Sequence, residues 1–419
     1  MGTFIYYTLM KFFRVVLGIV APFNTKANKW VKGRKGLFQD IKLKLENEQN
    51  PKVWIHCSSL GEFEQARPVI EAFREKHPEF KIILTFFSPS GYEIRKDYKG
   101  ADWVFYLPLD TPYNAKRLVK LFSPDLVFFV KYDFWYFILR QLYREKIPVI
   151  LFSAIFRDNQ LFFKKFFGWY RRLLFFFDHI FVQDDYSKKL LESIGYYAVS
   201  VAGDTRFDRV VKIASKNKTS ERVDKFKAGT LTIVAGSTWQ QDEILLSEYL
   251  KHNRQIKAII APHNVEEKNI AKLTELFNSD LIKCSVLEQD ENSLGEKHKV
   301  LLIDSIGRLY YLYKYADIAY VGGGFGAGIH NILEAAVYGK PVIFGPNYQK
   351  FKEARELIKL GGAFSIGNQE ELFEILDKLV KDSDFRKEAG EIAKNYVLSN
   401  TGATEKILSL VESKLIQKQ

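Results

Sequence analysis

The sequence predicts an α/β protein of two Rossmann-like domains facing a cleft, preceded by an N-terminal membrane-anchoring segment. Three observations predict it. From Lys52 onward short apolar runs alternate with helical patterns, as in parallel sheets covered on both faces. After Asp208 the alternation is broken by VVKIASKNKTSERVDKFKAG, polar and without a strand signal, and it restarts at LTIVAGS. The length, 419 residues, also exceeds what one ordinary core fills. The implied divisions are 1–36 for the anchor, 37–210 for the first domain, 211–228 for the linker, 229–400 for the second domain and 401–419 for a last helix, read from about Thr404 to Lys418 and expected to pack back across the hinge.

The first element is FIYYTLMKFFRVVLGIVAPF, Phe4 to Phe23, as long as a membrane span but with Lys11 and Arg14 in its middle. Each charge would cost roughly 2.5 to 3.5 kcal/mol at the bilayer centre. An interfacial helix is therefore expected, with the basic tail NTKANKWVKGRKG on anionic headgroups of the cytoplasmic leaflet; a core helix is the bland alternative. Residues 1–50 hold nine Lys or Arg against three Asp or Glu, half of the net +12. The stretch LFFKKFFGWYRRLLFFFDH, Leu161 to His179, reads either as a lipid-facing surface helix or as a core helix with snorkelling cations. Basic residues among aromatics also suit nucleic acid, but no nucleic-acid module signature accompanies them, so a membrane partner ranks first.

The first series of strands is KVWIHC, KIILTFF, DWVFYL, DLVFFV, PVILFS, HIFVQ and VSVAG, with helices from Gly61, Pro89, Pro112 and Phe134. Where WIHC ends, Ser58, Ser59, Leu60 and Gly61 form a turn and Glu62 opens the next helix. Open α/β sheets bind ligands at the carboxyl ends of their strands, which makes Glu62 a candidate general base. The alternative is a carboxylate that merely complements the helix dipole.

The second series is LTIVAGS, KAIIAPH, KVLLID, DIAYVGG, PVIFG and AFSIG. Three polar loops follow its strands: Gly236, Ser237 and Thr238; Pro262, His263 and Asn264; and Gly322, Gly323, Gly324, Gly326 and Gly328, read as running directly into a helix that carries His330, Asn331 and Glu334. Glycines admit a ligand close to the backbone, free N–H groups of a helix's first turn attract a phosphate, and Glu334 is placed to accept hydrogen bonds from a ribose. Together the loops favour a nucleotide; His263 alone would be an ordinary surface or capping histidine. Gly322, Gly324 and Ala327 also satisfy a loose dinucleotide spacing, yet the next strand ends in Phe344, Gly345 and Pro346, without the acid that site needs. Cys57 and Cys284 lie far apart with no metal spacing around them, so the expectation is a reducing compartment, no disulfide, no zinc or iron site and no cofactor. No D-x-D pair suited to a nucleotide-bound metal is visible.

HCSSLGE, GDTRFD, GSTWQQDE, the PH of APHN, DSIGRL and GGGFGAGIHNILEAAVYGKPVIFGP, in this order, resemble the 3-deoxy-D-manno-octulosonic acid (Kdo) transferases of lipopolysaccharide synthesis, over nearly the whole chain. The resemblance implies a metal-independent, inverting GT-B glycosyltransferase that moves Kdo from CMP-Kdo to a lipid A precursor at the cytoplasmic face of the inner membrane. It implies Glu62 as the base. Arg206, Ser237, Thr238, Pro262, His263, the glycines from Gly322 to Gly328, His330, Asn331 and Glu334 would hold the donor, while Ser58, Ser59, Gly61, Lys131 and Asp133 fall on the acceptor side. The family's E-T-E-x-W-P-N is here Lys131 to Phe137, Asp133 keeping only the second acid, and its N-A-R is Ser153, Ala154 and Ile155 with Arg157 two places on. Arg206 stands where lysine is usual; its planar fork meets a phosphate differently. A soluble nucleotide-sugar epimerase or hydrolase of the same two-lobed fold, or a non-catalytic membrane sensor, remain as alternatives.

Overall fold

The computed structural model describes residues 2–416, so the expected helix end at 417–419 lies outside the described residues. The chain forms two compact units, residues 1–208 with 401–419, and residues 209–400. Each holds one all-parallel sheet of seven strands.

In the first unit the strands are β1 (Lys52–Cys57), β2 (Lys81–Phe86), β3 (Trp103–Tyr106), β4 (Leu126–Val130), β5 (Val149–Ala154), β6 (His179–Val182) and β7 (Val199–Val201), in the order β3-β2-β1-β4-β5-β6-β7. Their near-continuous apolar runs follow from burial on both faces. Alternation sorts the side chains: Trp54, Ile83, Val127 and Leu151 join one core with the helices Pro112–Phe122 and Tyr136–Arg144. Val53, Ile55, Phe128 and Ile150 join the other with Phe63, Ile70 and Phe73 of the helix Leu60–Lys76.

That second core also takes Ala403, Ile407, Leu408 and Val411 from the last helix, Ala403–Ile416. Asp208 fixes its start, accepting from the N–H groups of Gly402 at 2.6 Å and Thr404 at 2.7 Å. The last helix thus completes the first unit's core.

The second unit comprises β8 (Thr232–Thr238), β9 (Lys257–Pro262), β10 (Leu281–Lys283), β11 (Val300–Leu302), β12 (Ile318–Val321), β13 (Val342–Phe344) and β14 (Ala363–Ser365), ordered β10-β11-β9-β8-β12-β13-β14. Edge strand β10 is absent from the sequence reading, because three residues between a 3₁₀ turn and the helix Cys284–Gln289 carry no period. Residues of the segment read as a linker form the helix Glu221–Lys227, whose Val223 and Phe226 are buried.

The N-terminal helix runs Gly2–Val20, long and apolar enough to cross a membrane by length and composition, and none of its residues is fully buried. The basic tail folds into the helix Thr25–Lys32, capped by Asn24, with Ala27 and Trp30 buried while Lys26, Lys29 and Lys32 stay exposed. Arg34 donates to the carbonyls of Trp30 at 3.0 Å, Phe87 at 2.7 Å and Leu107 at 2.8 Å, with its guanidinium over the rings of Trp30 and Tyr106. Aromatic faces attract a guanidinium and draw it inward.

The stretch 161–179 is no single helix. It breaks into turns at Leu161–Phe163, Lys165–Phe167, Gly168–Arg171 and Leu174–Phe176, because Phe162, Leu173, Leu174 and Phe177 point into the core at intervals no continuous helix satisfies. Phe166 stays almost wholly exposed.

Candidate active site

Strand order reverses beside β1 in the first unit and beside β8 in the second, whose sheet turns once more at β11 near its edge, and open α/β sheets bind ligands where the order reverses at their centre. The candidate residues gather at these two places.

In the first unit, Ser58 to Gly61 leave the end of β1 and residues 131–135 leave the end of β4. Ser59 caps the helix Leu60–Lys76, its hydroxyl accepting from Gly61 N–H at 3.3 Å and donating to the Glu62 carboxylate three residues on. The N-cap serine therefore holds the candidate base, through a side-chain bond, at the positive end of a helix. Asp133 accepts from the Ser58 N–H at 3.1 Å and from its hydroxyl. Burial, and then the neighbouring Glu62, raise the Asp133 carboxyl to about 8, against the pull of the Ser58 hydrogen bonds. Lys131 adopts φ 66°, a left-handed turn out of the sheet, and its ammonium lies over the Tyr132 ring.

His56 is a member that the sequence reading did not single out. Its Nε2 accepts from Trp135 Nε1 at 3.0 Å, and its Nδ1 meets Thr85 Oγ1 at 2.8 Å. Burial pushes its pKa down to about 3, so the 3.7 Å approach to Asp133 is not an ion pair at neutral pH. A neutral imidazole accepting at Nε2 carries its proton on Nδ1 and locks the two loops together. The signal was present in HCSS, a histidine at a strand end.

Arg206 also belongs to the first unit. Its guanidinium grips Asp204 at 2.8 Å, and Gln65 donates to the same carboxylate at 3.2 Å. Burial opposes ionisation of Asp204, but Arg206 and these hydrogen bonds prevail and lower its pKa.

In the second unit Ser237 interrupts the β8–β9 pairing with φ 54°, and Thr238, buried, donates to Glu243 at 2.9 Å. A bulge next to a ligand site re-aims the side chains that follow it. Pro262 ends β9, and the His263 N–H reaches the Thr238 carbonyl at 3.0 Å. Asp242 accepts from Trp239 N–H at 2.9 Å, Gly323 N–H at 3.1 Å and Tyr320 hydroxyl at 2.7 Å, joining β8 and β12.

The glycines divide by task. A side chain at Gly322 would meet the Ser237 carbonyl at 2.4 Å, and one at Gly324 the Gly345 backbone at 2.5 Å, so both exist for close packing. Gly323 and Gly328 have φ 91° and 137°, which other residues rarely adopt. Gly326, by contrast, is exposed.

The expected helix after this loop is corrected: residues 322–331 are irregular, and the helix is one turn, Leu333–Ala336. The Asn331 side chain accepts from Leu333 N–H at 3.2 Å, which starts the helix there. His330 and Asn331 thus precede it, and Asn331 donates to Glu334 at 3.2 Å. Burial raises the Glu334 pKa against the pull of Arg209.

Freed from a helix, His330 joins a stack. Trp239 lies on His263 with ring centroids 4.6 Å apart, and His263 lies on His330 at 4.6 Å. Burial, then His263, lower His330 to about 4, so His330 is neutral at physiological pH, and burial lowers His263 as well. Trp239 is half exposed. It is the second residue the sequence reading passed over, although GSTWQQDE displayed a tryptophan directly after a strand.

A family model described as 3-Deoxy-D-manno-octulosonic-acid transferase (kdotransferase) matches residues 31–209. The chain is similar to the 3-deoxy-D-manno-octulosonic acid transferase of Aquifex aeolicus (strain VF5), 30% identical over 339 residues, covering 78% of this chain and 86% of that one. It is also similar to the protein of the same description from Haemophilus influenzae, 25% identical over 372 residues, 86% of each chain. Among solved structures, the fold matches a UDP-GlcNAc 2-epimerase from Neisseria meningitidis bound to UDP-GlcNAc, with TM-score 0.60 and 20% identity, over 86% of this chain and 100% of that chain.

Proposed function

Because the chain belongs to the Kdo transferase family, glycosyltransferases of lipopolysaccharide biosynthesis, we propose that it takes Kdo from CMP-Kdo and passes it to a lipid A precursor. The observation that carries this reading is the position of Glu62, held by Ser59 at the strand reversal of the first sheet. On this reading Glu62 takes the proton of a sugar 6'-hydroxyl. The hydroxyl oxygen bonds to the Kdo anomeric carbon with inversion, the bond from that carbon to the CMP phosphate oxygen breaks, and CMP leaves with the electron pair.

The second unit holds the donor. Exposed Gly326 offers backbone to a phosphate, Asn331 and Glu334 offer polar groups to the ribose, and the Trp239, His263 and His330 stack offers a ring face to the base. His263 and His330 then act as neutral hydrogen-bonding groups, since burial lowers both. Ser58, Ser59, Gly61, Lys131 and Asp133 line the acceptor side, and the exposed apolar N-terminal helix keeps the enzyme at the inner membrane's cytoplasmic face, where an acylated acceptor resides.

Purified protein with CMP-Kdo and lipid A precursor is expected to release CMP and to yield a lipid heavier by whole Kdo units, read by mass spectrometry. Consumption of the nucleotide sugar without any acceptor would instead favour an epimerase or hydrolase.

A further inference from the structure

The second half of the N-terminal helix stands away from the body. From Lys11 to Val20 every residue except Leu17 is exposed. Phe13 reaches inward, edge-on to Trp30 at 5.8 Å and stacked on Phe87 at 6.3 Å. The gap on one side of this contact is a cavity of about 410 Å³, within the range of small-molecule sites. Its walls include Arg14, Gly18, Trp30, Arg34, Lys35 and Leu109.

Three of those six residues are cations, and among the described residues no Asp or Glu lines the cavity. Arg34 spends its donors on three backbone carbonyls, so its charge has no carboxylate partner among the bonds it makes. The occupant these walls suit carries a negative head and an apolar body. Outside the cavity, the same helix exposes Phe4, Leu9, Phe12, Val15 and Ile19, a surface that a bilayer covers. The molecule at hand where such a helix lies is an anionic phospholipid.

We propose that this cavity binds the headgroup and upper acyl chain of one anionic phospholipid drawn from the bilayer. The protein then holds the membrane through a lipid seated inside it as well as through the helix's outer face. The inference stands apart from the transfer reaction, because it invokes neither donor nor acceptor.

The test uses the whole chain, without either substrate except in one competition arm with lipid A precursor. Flotation with phosphatidylglycerol vesicles and with phosphatidylcholine vesicles gives the headgroup preference, and native mass spectrometry of protein extracted from each gives the lipid retained. Phosphatidylglycerol is expected to bind more tightly by about fivefold or more and to be retained one per chain. Gly18→Trp fills the cavity, and a side chain begun there meets nothing within 4 Å. It is expected to lower phosphatidylglycerol binding about fivefold and abolish retention, although it adds apolar surface. Ile19→Trp, on the outward face, is expected to bind as the parent does or more tightly.

Binding by Gly18→Trp equal to the parent's, retention of no phospholipid, or equal retention of phosphatidylcholine would each overturn the proposal. Should Gly18→Trp fail to fold, the retention measurement on the unaltered chain decides alone. Retention of an added lipid A precursor in place of phosphatidylglycerol would overturn it too. Phosphatidylglycerol binding that inorganic phosphate at high concentration abolishes entirely would overturn it as well, since the cations alone would then act.

Discussion

Asp133 accepts two hydrogen bonds from Ser58, from its N–H at 3.1 Å and from its hydroxyl, and thereby ties the loop after β4 to the turn after β1 that carries Glu62. Two carboxyl groups therefore share one strand junction, and the buried one keeps its proton at neutral pH.

Removing that carboxyl should show in the pH dependence of stability. Asp133 moves from its ordinary 3.8 to about 8 on folding, so the native state holds the proton more tightly than the unfolded chain. Stability from this group is full below about 4 and is lost as pH rises through about 8. Asp133→Asn is expected to be more stable than the parent at pH 9, by on the order of a few kcal/mol and hence with a higher melting temperature, the gap closing toward pH 5. Thermal melts of both proteins across that range check it.

Glu62→Gln keeps the Ser59 hydrogen bond but cannot take a proton. Transfer is expected to fall by about 10² to 10⁴, with CMP binding unchanged, since the nucleotide site is assigned to the other unit. Single-turnover product formation and calorimetric titration with CMP separate the two; a loss under about tenfold would remove Glu62 as the base.

Trp239→Ala removes the exposed end of the ring stack and leaves the Asp242 bond to its backbone intact. CMP affinity is expected to fall about five- to hundredfold, from a stacking contribution of about 1–3 kcal/mol, with the melting temperature little changed. Isothermal titration measures it.

The loop glycines give a paired prediction. Gly324→Ala puts a carbon 2.5 Å from the Gly345 backbone and is expected to cost about 1–3 kcal/mol of stability. Gly326→Ala meets only the Gly323 carbonyl, at 3.6 Å, and is expected to leave stability within about 0.5 kcal/mol, seen in denaturant unfolding.

Thirteen of the fourteen strands were readable, because a strand buried on both faces is written as a solid apolar run such as LVFFV or TIVAG. Edge strand β10 lacks that pressure and was lost. Glu62 was readable because an acid that opens a helix directly after a strand end and turn is a local signal. His330 was misplaced for the complementary reason: the helix looked set to begin before it, and only the turn in which Asn331 accepts from Leu333 N–H shows where winding starts. The inward turn of Arg34 and the breaking of 161–179 are tertiary decisions, made by Trp30, Phe87 and the core, and no local pattern announces them.

The chain passes out of the first unit after Asp208 and re-enters it at Thr401. The second unit is thus one uninterrupted stretch of polypeptide, while the first is assembled from the two stretches that flank it. On a ribosome, the earlier stretch emerges without the helix that closes its Val53 and Ile55 face, and must wait for Ala403 to Val411 before that face is sealed. A premature stop near residue 400 would therefore injure the unit made earliest and spare the unit made just before it.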